Sequence, residues 1–295
     1  MNSPAELALT DWPLLLAEAL TFGTAGFVAL LTPGDAAARD GLGRALAPLW
    51  KALAVLALVS APMALIGEVS NMAAISWRGA IPLVPEVLRQ THAGRIWTVR
   101  IAAIVLIIAT AWLISSCRLK AAILSLLSVL ILLLNALSSH AIDWGALAVA
   151  AYLFHQVAAS MWFGALLVMC WPFKGIEHDP SWNARLGTRV SSTAGWSVAV
   201  LVVTGVFVAY QTLGLDLSRL LYSKWGRTLI VKVAAFLMVA CIGGYNRYLL
   251  IPAMDDVAAR RQLLRNVAIE CAFLIFVFGL AALLANSPPP HMSML

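Results

Sequence analysis

Residues 121–170 read AAILSLLSVLILLLNALSSHAIDWGALAVAAYLFHQVAASMWFGALLVMC, a stretch whose one formally charged side chain is Asp143. Two apolar runs, 119–138 and 145–171, flank a short polar break at Ser138-Ser139-His140. Each is long enough to cross a hydrocarbon core of about 30 Å, which takes about 20 apolar residues as a helix. Neither carries the charged face that a helix on a soluble protein keeps towards water. Lipid is the only solvent that suits both sides of such a pair.

The same pattern recurs outward in both directions, at 12–32, 46–67 and 94–116 before the quoted stretch and at 190–213, 227–250 and 262–285 after it. The whole chain is 62% hydrophobic and 12% charged. About a quarter of the residues of a soluble domain are charged, so half that share leaves too little polar surface to coat a globule. The sequence therefore predicts an all-α, multi-pass membrane protein of eight transmembrane helices, with the lipid bilayer as its first partner. The connections carry Pro33-Gly34-Asp35, Pro172 and Ser287-Pro288-Pro289-Pro290, and the longest, about 68–93, is too short for a further domain. The first run does not read as a secretory signal, because Glu6 and Asp11 precede it and the first basic residue is Arg39.

Charge sets the expected orientation. Of the 20 Lys and Arg, twelve fall on one side of the eight spans, while the break at 139–145 and both ends of the chain carry none. The rule that cytoplasmic loops are basic then places both termini outside, on the periplasmic face. The net charge of +6 follows from this bias and calls for no nucleic acid. A repeat is also legible. Thr91-His92-Ala93-Gly94-Arg95 with Arg100 lines up with Ser223-Lys224-Trp225-Gly226-Arg227 with Lys232, and Leu42-Gly43 and Ser60-Ala61 line up with Leu186-Gly187 and Thr204-Gly205. Four spans per copy is an even number, so two parallel four-helix repeats are expected, 1–138 and 139–295. Thr91 and Ser223 read as helix N-caps.

Histidine placement carries the functional reading. His92 opens the third span, His140 lies in the outer break and His291 in the tail, while His155 lies about ten residues inside the fifth span, near mid-membrane. His178 alone falls on the inner side, between Glu177 and Asp179, and reads as a solvated loop residue. An ionisable group inside a membrane is costly, which makes it a functional candidate. Imidazole and thioether together suit copper. Met63, Met72, Met292 and Met294 stand on the outer side, and the closing Pro290-His291-Met292-Ser293-Met294 reads as a capture segment. Along the fifth span Trp162 shares the face of His155, whereas Met161 is turned about 120° away. Glu270 matches the depth of Asn246 and Arg247, so an ion pair or hydrogen bond is expected there; Glu18 and Glu68 lie towards the outer face. Cys117, Cys170, Cys241 and Cys271 fall in the inner half without a CxxC pair and read as buried, inert thiols rather than as a thiolate exit route.

The stretch Tyr152-Leu153-Phe154-His155-Gln156-Val157-Ala158-Ala159-Ser160-Met161-Trp162-Phe163-Gly164 resembles a signature helix of the copper resistance protein D family. Thr204-Gly205, Gly226-Arg227 with Lys232, Asn246-Arg247 with Pro252, and Glu270 leading to Leu284-Ala285-Asn286-Ser287-Pro288-Pro289-Pro290 extend the likeness. Ser139-His140-Ala141 is similar to the family's Gly-His-Ala with Ser for Gly, and Phe163-Gly164 stands where a Gly-Gly pair is usual. The resemblance implies copper as the transported ion, the bacterial inner membrane as location and a periplasmic copper chaperone as donor. No nucleotide-binding loop is present, so no nucleotide cofactor and no enzymatic hydrolysis are expected. The expectation is an inner-membrane copper transporter or copper-binding protein, not an enzyme. His155, His140 and His92 would form or feed the metal site, His291, Met292, Met294, Met63 and Met72 would capture copper, and Trp162, Met161, Thr204, Asn246 and Glu270 would line a path. The rivals are a b-type haem electron carrier and a copper-binding assembly or sensor protein that does not translocate.

Overall fold

A computed structural model describes residues 3–34, 36–170, 180–254 and 256–288. The described residues are helical, without a strand, and eight helices are long and apolar enough to cross a membrane. These are α1 (Pro4–Gly26, prolonged by a π-helical turn Phe27–Leu31), α2 (Ala36–Ala73), α5 (His92–Leu113), α6 (Cys117–Leu137), α7 (Ala146–Cys170), α8 (Pro180–Leu213), α10 (Lys224–Tyr245, prolonged by a π-helical turn Asn246–Leu250) and α11 (Val257–Ala285). Short helices α3 (Trp77–Ala80), α4 (Val84–Gln90) and α9 (Leu217–Tyr222) fill the connections before α5 and α10.

The expected spans fall on these helices, with α5 ending at Leu113 rather than at 116, but several helices run further than hydropathy foretold. Helix α1 starts eight residues early, because Ser3 and Glu6 form a reciprocal capping box and Pro4 occupies the first turn, where its missing N–H costs nothing. Helix α2 continues through Pro48 and Pro62. A spanning helix tolerates such prolines where its neighbours support the freed backbone groups. Thr91 and Ser223 are N-caps as expected, accepting from Gly94 N at 2.9 Å and Gly226 N at 2.8 Å.

Helix α1 is the hub, packed against α2, α6, α7 and α11. Its crossing with α7 is set by Gly23 and Gly164. A β-carbon at Gly164 would lie 2.2 Å from the Gly23 carbonyl carbon, and one at Gly23 would lie 1.9 Å from Ser160 O. Two backbones can approach this closely only where neither has a side chain, the usual device for helix association in lipid. The expected Phe163-Gly164 step thus achieves tight packing with one glycine from each helix. Helix α7 also packs on α8, α6 and α11, whereas α8 and α10 touch each other sparingly. The core runs along α1, α2 and α7 and includes Trp50, Phe27, Trp162 and Phe163.

Candidate metal site

His155 lies on the face of α7 turned towards α8. Its Nδ1 is 2.9 Å from Thr204 Oγ1, and the same hydroxyl donates to Val200 O at 2.7 Å. A hydroxyl has one proton, and here it goes to the carbonyl one turn back. The Thr204 oxygen is then an acceptor, so Nδ1 of His155 carries the ring proton and Nε2 keeps its lone pair. Binding of one ring nitrogen by a fixed partner is how proteins orient an imidazole for a metal on the other nitrogen. Gly205 leaves room for the ring: a β-carbon there would stand 3.5 Å from His155 Cε1. Lys232 of α10 brings a positive charge to bear on the same imidazole. One heptad along α7, Trp162 is buried and meets Phe236 of α10 edge-on, with centroids 5.8 Å apart. Its Nε1 has no hydrogen-bond partner among the described residues.

The other predicted residues are distributed more widely. Met161 points the opposite way, its sulfur 3.2 Å from where Gly26 of α1 would carry a β-carbon. His140 is exposed in a 3₁₀ turn, 3.9 Å from Asp143, and His92 is exposed at the first turn of α5. Met63 and Met72 are exposed on α2. His178, His291, Met292 and Met294 lie outside the described residues. Among the described residues no three His, Cys, Asp or Glu side chains converge into a ready-made metal cluster.

Asn246 and Glu270 belong to a second polar group, near the other end of the bundle. Gln262 donates to Asn266 at 2.8 Å, Asn266 to Asn246 at 2.7 Å, and Asn246 to Glu270 Oε1 at 2.5 Å. The chain of amides points its donors at the carboxyl, whose Oε2 has no partner among the described residues. The expected hydrogen bond to Asn246 is present, while Arg247 donates elsewhere, to Ser191 O at 2.9 Å. Glu18 and Glu68 also have structural partners. Arg100 clamps Glu18 with two bonds of 2.9 Å, Asn135 adds a third at 3.1 Å, and Trp97 donates to Glu68 at 2.6 Å while lying under Arg100. Sequence reasoning placed Arg100 in a repeat but missed its role. The signal was there: a guanidinium two turns inside a span requires an acid of matching depth, and Glu18 is the one available.

Residues 184–284 match the family described as Copper resistance protein D, and residues 4–148 match the Copper resistance protein D-like N-terminal domain. The chain belongs to the copper resistance protein D family. It is 25% identical over 306 aligned residues to Copper resistance protein D of Pseudomonas syringae pv. tomato, covering 98% of each chain. It is 26% identical over 281 residues to Inner membrane protein YebZ of Escherichia coli K12, covering 92% of this chain and 93% of that one. No solved structure matches. Eight apolar helices together with these relatives make the chain a multi-pass inner-membrane protein of copper resistance type.

Proposed function

We propose that this family member takes copper from the periplasmic side and passes it inward, with His155 as the intramembrane ligand. The observation that carries the reading is the Thr204 contact, which holds the His155 ring and leaves Nε2 free as a donor inside a spanning helix. Both termini are periplasmic in this reading, and the halves 1–138 and 139–295 are parallel copies. His92, His140, Met63 and Met72 then face the compartment from which copper arrives, and His291, Met292 and Met294 extend that soft-donor set. A periplasmic copper chaperone is the donor. Trp162, on the same face of α7 one heptad along, closes the path beyond His155, and Thr204 is the positioning residue.

Purified protein in proteoliposomes provides the test. His155→Ala lowers copper affinity or uptake about tenfold or more, on the order of 1.4 kcal/mol. Unchanged stoichiometry, affinity and uptake in that variant would remove the reading. A sharp Soret band in the visible spectrum would instead favour haem, and tight binding with no vesicle uptake would favour an assembly or sensory role.

A further inference from the structure

The Glu270 carboxyl of α11 is 1% exposed, and its two oxygens meet opposite surroundings. Oε1 ends the chain of amides that starts at the exposed Gln262 and passes through Asn266 and Asn246, both buried. Asn246 accepts from Asn266 on its oxygen and donates to Oε1 through its N–H, so turning the amide over would break both bonds. Oε1 is therefore an acceptor, and a proton on this carboxyl belongs on Oε2. Oε2 has no hydrogen-bond partner among the described residues. It lies against Gly243 of α10, where a β-carbon would stand 3.3 Å away, and a β-carbon on the adjacent Gly244 would meet nothing within 4 Å. Glu270 follows the exposed Arg265 by five residues, about 8 Å along a helix, so the surface is near.

No cation balances the carboxyl among the described residues. The elements packed on α11 are α1, α7, α10 and the π-helical turn after α10. The ionisable groups of α1, Glu6, Asp11 and Glu18, bring no positive charge. On α7, His155 faces α8. The thiols of Cys170 on α7 and Cys271 on α11 act on the carboxyl but are never cationic. On α10, Lys224, Arg227 and Lys232 all precede Gly243 by eleven residues or more, and Tyr245 is exposed. Arg247 of the π-helical turn donates to Ser191 O of α8 at 2.9 Å.

We propose that Glu270 is a proton site, holding a proton on Oε2 and exchanging it past the side-chain-free Gly243-Gly244 step. A carboxylate with one hydrogen bond and no cation is costly in a low-dielectric setting, and a proton removes the charge while needing no further ligand. A metal ion in its place would want more donors, and among the described residues no three His, Cys, Asp or Glu side chains converge. The π-helical turn ties the site to its neighbours, a distortion frequent at functional positions. Asn246 at its start holds Glu270 and Asn266 of α11 while Arg247 holds α8, so a shift of α8 against α10 reaches the carboxyl. The site rests on the copper reading above for its role and deepens it. Each copper(I) passing inward adds one positive charge, and one proton leaving Oε2 outward balances it. The O–H bond breaks with its electron pair kept on the carboxylate, and no oxidation state changes.

The test uses the full chain in nanodiscs, first without copper. Glu270→Gln keeps the size of the side chain and the acceptor for Asn246, so the variant should fold as the parent does. The infrared spectrum of the parent minus that of Glu270→Gln at neutral pH should contain the C=O stretch of a protonated carboxylic acid, shifted down in heavy water. A difference spectrum with carboxylate bands alone would overturn the proton site and would leave the His155 reading intact, since no copper is present. Gly243→Val should slow the heavy-water shift of the same band by covering Oε2, and an unchanged rate would overturn the Gly243-Gly244 route. Proteoliposomes with a pH-sensitive dye then follow copper(I) uptake. Protons should move against copper in the parent and not in Glu270→Gln, and equal proton movement per copper in the two would overturn the coupling. A parent that takes up no copper would defeat the copper reading, while the infrared difference still decides the proton site.

Discussion

The two halves of the bundle bury their helices to different degrees. In the first half, the apolar window of α1 is 67% buried, and the buried acid Glu18 receives three hydrogen bonds from Arg100 and Asn135. In the second half, the corresponding windows of α8 and α10 are each 11% buried. There His155 has one oriented contact, and among the described residues Trp162 Nε1 and Glu270 Oε2 have no partner, as Arg39 Nε and Ser128 Oγ have none in the first half. A charge held in a low-dielectric setting with every partner in place is scaffold. Donors and lone pairs left open in the same setting cost stability. By burial the first half reads as the frame, while the second carries His155 beside thinly covered helices.

That contrast can be broken by experiment. The largest effect is expected in the frame: Arg100→Ala strands the Glu18 carboxylate in the bundle and should cost about 3–5 kcal/mol, the usual penalty for removing one partner of a buried pair. Thermal unfolding in detergent measures it, and an unchanged Tm would mean that Glu18 is not held as described. Next is Gly164→Ala, whose methyl meets the Gly23 backbone. Overpacking of this kind costs about 1–3 kcal/mol and should lower Tm with copper affinity per folded molecule little changed.

In the second half the order of effects reverses, function falling before stability. Thr204→Val keeps the shape but removes the Nδ1 acceptor, and loss of such a supporting contact typically weakens metal binding about 10–100-fold. Isothermal copper(I) competition measures this. Equal affinities in Thr204→Val and the parent protein would show that the ring needs no support from α8. The smallest effect lies in the connection before α10. Asp216 caps α9 and accepts from the Ser218 hydroxyl and N–H, which hold its carboxyl below the usual range. The cap is therefore complete above the ordinary carboxylate pKa and lost as pH falls through the lowered one. An NMR titration midpoint at or above the ordinary value would contradict it. Helix α4, in the equivalent place before α5, starts after Leu83 without a side-chain cap and should show no such pH dependence.

Much of the frame was legible from residue order alone. Runs of apolar residues mark spans because lipid rewards them regardless of partner, and Thr91 and Ser223 mark helix starts because capping is local. The longer reach of α1 and α2 was hidden by charged residues at their ends, Glu6 and Asp11 in α1 and Arg39, Asp40, Arg44 and Glu68 in α2, which hydropathy treats as loop. Of the site, His155 stood out by its depth and Trp162 by its register. Thr204 was visible only as half of a Thr-Gly step, since nothing local says which helix faces which.

Sequence by itself determined the eight membrane helices, their caps and the depth of each ionisable group, because these depend on transfer to lipid and on backbone bonds made within a few residues. Only the tertiary structure decided which groups meet. The Gly23–Gly164 crossing, the pairing of Arg100 with Glu18 and the tautomer of His155 all depend on contacts between distant segments. Their physical reason is the close packing of helices whose sequences, read singly, contain no record of their neighbours.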